Sequence, residues 1–193
     1  MKAEGKTHLK LRDCEYRVEK GDLDWSGRFV LDKPTKISGQ GCGMTTLVGV
    51  GLEIEENKSD GIVEIHDLTI KGGEENGLYA SYGMKVIMRG CTVEDCGEDG
   101  VSAYGADLTC DDLQVIGCGY SGVCADNNAT ITLSGHGTSI QGNGTKGRNY
   151  SYGLNASSTI LLVHPLTKEE QISTDNRGGR NWGGDGTIKQ ISK

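Results

Sequence analysis

Proline and aromatic residues are scarce in this sequence. Among its 193 residues there are two prolines, and aromatic residues make up 5%. So little proline excludes a proline-rich linker. Apolar residues make up 35%, which is low for a β-sandwich with a thick core, and favours a narrow interior filled by Val, Ile, Leu, Ala and Cys. The 31 glycines indicate a chain that turns often.

Long apolar runs are also missing. No stretch approaches the ~18 residues of a membrane span, and Met1 to His8 lack the apolar segment of a signal peptide. Seven cysteines cannot all pair within one chain, which favours a reducing, intracellular compartment. The net charge of −7 argues against a nucleic-acid partner, because phosphate binding needs clustered Lys and Arg. The sequence therefore predicts neither a membrane nor a nucleic acid among its partners.

A glycine followed by a branched apolar residue recurs along the chain. The segments begin at Gly51, Gly77, Gly100, Gly122 and Gly153, at steps of 26, 23, 22 and 31 residues. A nearly constant period in the twenties is typical of a solenoid, in which each repeat buries its apolar face by stacking on its neighbours. The period predicts an architecture and leaves the chemistry open.

Each repeat contains three short runs in which apolar and polar residues alternate. In the repeat that begins at Gly77 these runs are 78–80, 85–89 and 91–93. Alternation with a period of two is the pattern of half-buried strands. Stacking such repeats predicts an all-β fold, a single-stranded parallel β-helix of about six rungs with three parallel sheets.

A solenoid must cover its open ends or it polymerises. We therefore divide the chain into an N-terminal cap (1–26), the β-helix (27–163) and a C-terminal cap (164–193). The C-terminal part departs from the repeat and contains a glycine-rich segment, 176–186, which is predicted to be a loop. Trp182 in this segment is expected to cover the end of the core.

The repeat resembles a known family. The pattern Gly-[Leu/Val]-x-[Ala/Ile], followed by Val-x-Met or Val-x-Ile, a polar or glycine corner and Thr-Val, is similar to the right-handed parallel β-helix repeat of the pectate-lyase-like superfamily. The stretch from Gly27 to Gly41 is similar to the way many such domains begin. The resemblance covers about residues 27–163 and implies a right-handed coil. It implies no single function, because the superfamily includes lyases, hydrolases, epimerases, adhesins and non-catalytic scaffolds.

The outward face of the first sheet is the surface to which the resemblance draws attention. Related lyases and hydrolases bind substrate there. Tyr79 and Tyr104 would stack on sugar rings, and Glu55, Asp126 and Asn155 would bind hydroxyl groups. The alternative is an ordinary polar solenoid face, since exposed polar residues are the default. We expect a non-catalytic scaffold that presents this face to a neutral glycan or to another protein.

The alternative function is a carbohydrate-active enzyme, a polysaccharide lyase, hydrolase or epimerase, and whether the chain is an enzyme stays open. Lyases of the superfamily typically need a cationic base, and the outward columns of the first sheet contain no Lys or Arg. A hydrolase needs two carboxylates ~5–9.5 Å apart, for which Asp126 and Asp99 are candidates. His66 is a candidate base on the second sheet, in line with Arg89 and Asp111. That column is equally explained as a solvated ladder of ion pairs.

Nothing in the sequence predicts a cofactor or a metal site. The cysteines lack the paired Cys-x-x-Cys spacing of a zinc site. Cys96 and Cys118 are expected to stack one rung apart as thiols, because in-register parallel neighbours place their Cβ atoms too far apart for a disulfide. Cys124 is expected to point outward on the first sheet, which makes it the thiol to test for reactivity.

Overall fold

The computed structural model describes residues 7–12, 14–17, 28–55, 61–167, 172–177 and 180–192. Every regular element in these ranges is a short β-strand, and the strands form three sheets of eight, seven and seven members. We number the sheets in the order in which a repeat enters them from its glycine. The prediction of an all-β fold with three parallel sheets is confirmed.

The strands are assigned to the sheets as follows. The first sheet contains β3 (Arg28–Leu31), β6 (Gly51–Ile54), β9 (Leu78–Ala80), β12 (Val101–Tyr104), β15 (Val123–Asp126), β18 (Tyr152–Ala156) and β21 (Arg180–Gly183). The second contains β1 (Thr7–Lys10), β4 (Thr35–Ser38), β7 (Ile62–His66), β10 (Lys85–Arg89), β13 (Asp107–Asp111), β16 (Thr130–Ser134), β19 (Thr159–Val163) and β22 (Thr187–Ile191). The third contains β2 (Cys14–Arg17), β5 (Thr45–Val48), β8 (Thr69–Lys71), β11 (Thr92–Glu94), β14 (Gln114–Ile116), β17 (Ser139–Gln141) and β20 (Ser173–Thr174).

The chain visits the three sheets in rotation. After β9, β10 and β11 have contributed one strand to each sheet, β12 returns to the first sheet beside β9. The pairing is parallel and keeps the sequence repeat in register, with Val101 opposite Leu78 on one side and Val123 on the other. The chain therefore winds as a single-stranded parallel β-helix. Its described strands make seven turns and one further strand. This is more than residues 27–163 alone would give, because the sheets continue on both sides of that range.

The interior consists of stacked apolar columns. In the first sheet Leu78, Val101 and Val123 face inward in register and are fully buried. Further inward columns are Val63, Val86, Leu108, Ile131 and Ile160 in the second sheet, and Ile70, Val93, Val115 and Ile140 in the third. Burying a Val, Leu or Ile side chain contributes roughly 1.5–3 kcal/mol. Successive turns therefore hold one another together, as the period predicts.

The glycine that opens each repeat lies where neighbouring turns approach closely. Gly77, Gly100 and Gly122 immediately precede first-sheet strands, and none of them has a positive φ. A Cβ atom on Gly100 would lie 2.2 Å from Cγ1 of Val115 and 2.7 Å from the carbonyl oxygen of Gly122. The repeat glycine is thus required by the lack of space at the corner between the third and first sheets.

Asp and Gly alternate at the corner between the second and third sheets. Asp67, Gly90, Asp112 and Gly135 follow one another there on successive turns, with φ of 55°, 55°, 50° and 89°. This left-handed conformation is open to glycine and, among other residues, is best tolerated by Asn and Asp. A Cβ atom on Gly90 would lie 2.8 Å from Oδ1 of Asp67, so the glycine leaves room for the carboxylate of the preceding turn.

Strands on both sides of residues 27–163 continue the sheets. β1 and β2 pair in parallel with β4 and β5, and β20, β21 and β22 pair with β17, β18 and β19. The prediction that 176–186 is a loop is wrong in part, because Arg180–Gly183 forms β21 beside β18. In that pairing Trp182 lies opposite the buried Leu154. The division of the chain into a coil and two caps stays a prediction.

Candidate functional site

The middle column of the first sheet's outward face is more tightly packed than the sequence suggests. Glu53, Tyr79, Ser102, Cys124 and Asn155 lie opposite one another on consecutive strands, in the predicted order. Glu53 is only 7% exposed and Ser102 only 8%. A ligand on this face would therefore make most of its contacts at the ends of the strands.

The ends of these strands nearest the second sheet are more accessible. Asp126 is exposed and lies opposite Tyr104 in register, while Glu55 is exposed directly after β6. Asn155 is half-buried, with its Nδ2 3.7 Å from Sγ of Cys124. The structure thus brings Tyr104 and Asp126 together. Glu55 and Asn155 lie on other turns of the same face.

Tyr82 completes this edge and was not selected by the strand pattern, because it lies in the turn between β9 and β10. It is 52% exposed, and its ring packs edge-on against Tyr104, with centroids 4.9 Å apart and an angle of 84° between the planes. The side-chain amide of Asn127 donates a hydrogen bond to the Tyr82 hydroxyl. Hydrogen bonding to Tyr104 raises the pKa of Tyr82. A tyrosine beside Gly83 at a turn is the only sequence signal for this position.

Tyr79 is held in place by a cation from the preceding turns. The Arg28 guanidinium lies 5.9 Å from the ring centroid of Tyr79 and forms ion pairs with Glu53 at 3.1 Å and Glu75 at 3.5 Å. Burial, followed by the nearby Glu53 carboxylate, raises the pKa of Tyr79. Arg28 is a cation on this face that the alternation of the strands did not indicate. Because it is shared between two carboxylates, it is poorly placed to act as a base.

Asp99 belongs to a ladder of hydrogen bonds beside the repeat glycines. Oδ1 of Asn76 accepts the N–H of Asp99 at 3.1 Å, and Oδ1 of Asp99 accepts the N–H of Ser121 at 2.7 Å. Burial raises the pKa of Asp99 to about 6, and its carboxylate also hydrogen-bonds to the side chain of Cys124. The ladder explains an aspartate here without catalysis, although a raised pKa is also what a proton donor needs.

The Cys124 thiol lies beside the same carboxylate. Burial and the negative charges of Asp99 and Asp126 raise the pKa of Cys124. The thiolate is the reactive form of cysteine, so these surroundings disfavour nucleophilic attack by this thiol.

We expect Cys124 to react with iodoacetamide at least about ten-fold more slowly than Cys42 in the folded protein at about pH 7.5, because its thiolate is disfavoured and it is less accessible. Cys14 and Cys42 are the exposed thiols and should be modified first. Mass spectrometry of peptides after timed labelling measures each rate. In urea the difference should disappear, and preferential labelling of Cys124 in the native state would contradict this account.

His66 lies on the second sheet, away from the other two catalytic candidates. It is in register with Arg89, and Arg89 with Asp111, as the sequence predicts. Its Nε2 lies 3.5 Å from a Glu64 oxygen, and the hydrogen bond that this oxygen accepts comes from Lys36, at 3.2 Å. Burial, followed by the Lys36 charge, lowers the pKa of His66. The three candidates therefore do not form one site.

The buried cysteines and the carboxylates do not assemble into a metal centre in the described part of the chain, where no three metal-binding side chains come together. Cys96 and Cys118 are free and hydrogen-bonded to each other. The same residues include no helix with the length and apolar character needed to cross a membrane.

Comparison with known proteins agrees with this geometry. A family model described as right-handed β-helix region matches residues 48–164, more than half of the chain. This range contains the turns from β6 to β19, whose inward and outward columns are in register. No curated protein and no solved structure matches the chain. The chain belongs to the right-handed β-helix family.

Proposed function

We propose that this protein binds a neutral glycan, without transforming it, at the edge of the first sheet formed by Tyr82, Tyr104 and Asp126. The tyrosine pair, in which Tyr82 is exposed and Tyr104 half-buried, is the observation that carries the proposal. Its rings are held at 84° to each other, 4.9 Å apart, so little ordering is needed before a ligand binds. Aromatic rings offer large apolar area with a polar hydroxyl at the tip, which suits a ligand that is apolar on one face and hydroxylated at its rim.

The polar groups around the tyrosines favour an uncharged ligand. Asp126 is exposed and one of its oxygens accepts the N–H of Asn127 at 2.7 Å, so its other lone pairs are available for hydroxyl groups. Glu55 adds a second exposed carboxylate to the same face. The cation on this face, Arg28, is engaged by two carboxylates. A polyanion would be repelled here, whereas sugar hydroxyls find acceptors.

We expect the double substitution Tyr82→Ala and Tyr104→Ala to weaken glycan binding by at least about ten-fold, because both stacking surfaces are lost. An array of neutral oligosaccharides identifies ligands, and calorimetry measures their affinities. The matched variant Tyr82→Phe with Tyr104→Phe keeps the rings and should retain most of the affinity.

Two outcomes would refute this assignment. Wild-type affinity in the double alanine variant would place the ligand elsewhere. If no neutral oligosaccharide binds, the glycan version fails, and the face would be assigned instead to a protein partner.

The second candidate is a glycoside hydrolase, which one observation favours. Asp99 has a pKa raised to about 6 and lies on one side of Cys124, and the exposed Asp126 lies on the other. Two carboxyl groups whose surroundings differ can take separate acid and base roles. The same glycans, assayed for new reducing ends, test this candidate. Turnover abolished by Asp99→Asn would replace the binding proposal, and a panel without new reducing ends would remove the hydrolase.

A further inference from the structure

The loops between the third and first sheets form a row whose charge reverses along the coil. The loops 72–76 and 95–99 carry only acidic charges: Glu74, Glu75, Asp95, Glu98 and Asp99. The next loop, 117–121, is uncharged and contains Tyr120. The last two loops and the start of β21 carry four cations and one carboxylate: Lys146, Arg148, Arg177, Arg180 and Asp175. In a protein of net charge −7 this basic end is a local exception.

The basic end arises from an insertion in the repeat. The step from Gly122 to Gly153 is 31 residues, whereas the two preceding steps are 22 and 23. Most of the extra residues lie in the loop 142–151, whose exposed part, 145–150, carries Lys146 and Arg148. Insertions in solenoid repeats map to loops on one face, and that face is often the binding face.

Arg148 is oriented before any ligand arrives. Its guanidinium lies 4.0 Å from the ring centroid of Tyr120 and 5.7 Å from that of Tyr150, and its Nη1 donates a hydrogen bond to the Tyr150 hydroxyl at 2.7 Å. Arginine presents five N–H donors in a planar fork that matches an oxyanion. Tyr150 is the acceptor that the described residues offer to this guanidinium, so its other donors are available to a ligand.

Lys146 lies against the same ring, and no carboxylate of a described residue pairs with it. Its Nζ lies 5.2 Å from the centroid of Tyr120, so two cations share one tyrosine. Neither Lys146 nor Arg148 takes part in the ion pairs found between described residues. Arg177 lies on the adjacent turn, where its main-chain N–H donates a hydrogen bond to the carbonyl oxygen of Asn143. An anion bound between like charges that share one ring would relieve their repulsion.

We propose that Lys146 and Arg148, supported by Arg177 and Arg180, bind a single sulfate or phosphate monoester carried at one end of the glycan. This inference rests on the proposed function for the position of the sugar. Tyr120 precedes β15 and Asp126 ends it, so the basic loop and the tyrosine edge lie at opposite ends of one strand, up to ~20 Å apart. An oligosaccharide can span that distance. A uniformly anionic polymer laid along the loop row would meet Glu74 and Glu98, which favours one terminal charge.

The test uses glucose- and galactose-based tetrasaccharides, each with and without one terminal 6-sulfate or 6-phosphate. We expect the charged ligand to bind about ten-fold more tightly than its neutral parent, the gain that charge-assisted hydrogen bonds to an exposed site provide. The variant Lys146→Gln with Arg148→Gln should lose this gain and bind both ligands equally. The control Lys85→Gln with Arg89→Gln removes one exposed lysine and one exposed arginine from the second sheet and should keep it. The sulfate and phosphate arms show which monoester is preferred.

The outcomes separate this inference from the proposed function. If the neutral tetrasaccharide binds and the charged one binds no more tightly, the anion site is refuted and the glycan face stands. If the gain survives Lys146→Gln with Arg148→Gln, or is equally lost in the control, the site is also refuted. If no tetrasaccharide binds, titration with inorganic phosphate and sulfate decides: amide NMR shifts confined to 142–151 and absent in the double variant support the anion site, and their absence refutes it.

Discussion

Gly100→Ala should destabilise the protein by about 3 kcal/mol or more, at the upper end of what overpacking a core produces. The added methyl group would lie 2.2 Å from Val115 Cγ1 and 2.7 Å from the carbonyl oxygen of Gly122. The Gly122 carbonyl oxygen belongs to the main chain and accepts the N–H of Val101. Removing the clash with it therefore requires one turn to shift relative to the next. Urea unfolding followed by circular dichroism measures the loss.

Gly83→Ala is the control for this prediction. Gly83 has φ of 75°, and apart from its two chain neighbours no described residue lies within 4 Å of the place that the new methyl group would occupy. The substitution therefore introduces backbone strain without a clash, and that strain costs about 1–2 kcal/mol. If Gly100→Ala is no more destabilising than Gly83→Ala, the glycine period does not reflect close packing between turns. If Gly100→Ala does not fold at all, comparison of soluble yield with the control gives the same ranking.

Asp99→Asn should stabilise the protein near neutral pH and have little effect at about pH 4. Burial raises the pKa of Asp99 from its ordinary 3.8 to about 6. Between these values the folded protein keeps a proton that the unfolded chain releases, so stability falls as the pH rises through this window. A shift of this size corresponds to about 3 kcal/mol, and we expect about half of it because the side chain is only half-buried.

The amide can replace the carboxylate in its structural role. The side-chain oxygen of Asn76 already accepts a main-chain N–H one turn earlier, and Asn at position 99 can do the same for Ser121. Urea unfolding of both proteins at about pH 4 and pH 7.5 measures the difference. Asp126→Asn, an exposed change on the same face, should leave the pH dependence of stability unaltered. An equal effect of Asp99→Asn at both pH values would show that the carboxyl is not desolvated.

Local patterns were sufficient for the path of the chain. The period predicts that residues about two dozen positions apart become neighbours, and Leu78, Val101 and Val123 do. Alternation predicts which side chains face inward, because a strand places successive side chains on opposite faces. The outward column from Glu53 to Asn155 follows from the same rule.

Alternation carries no information about turns. Tyr82 lies between strands, so its position against the ring of Tyr104 could not be predicted. Arg28 belongs to another register position and reaches Tyr79 only through its long side chain. Alternation placed Cys124 in the outward column and made it the thiol to test, but burial and two neighbouring carboxylates raise its pKa and oppose reactivity.

The repeat allowed the β-helix to be predicted from residue types alone. Each turn imposes the same steric requirements on the next, and the sequence meets them with a glycine and apolar residues at corresponding positions of each repeat. The solvation of individual side chains, and the contacts between side chains on loops of different length, leave no periodic pattern in the sequence. The burial of Asp99, and the meeting of Lys146 and Arg148 over the ring of Tyr120, depend on how those loops pack in three dimensions. The fold could therefore be predicted from the sequence, whereas the candidate binding site could be identified only from the positions of side chains in the tertiary structure.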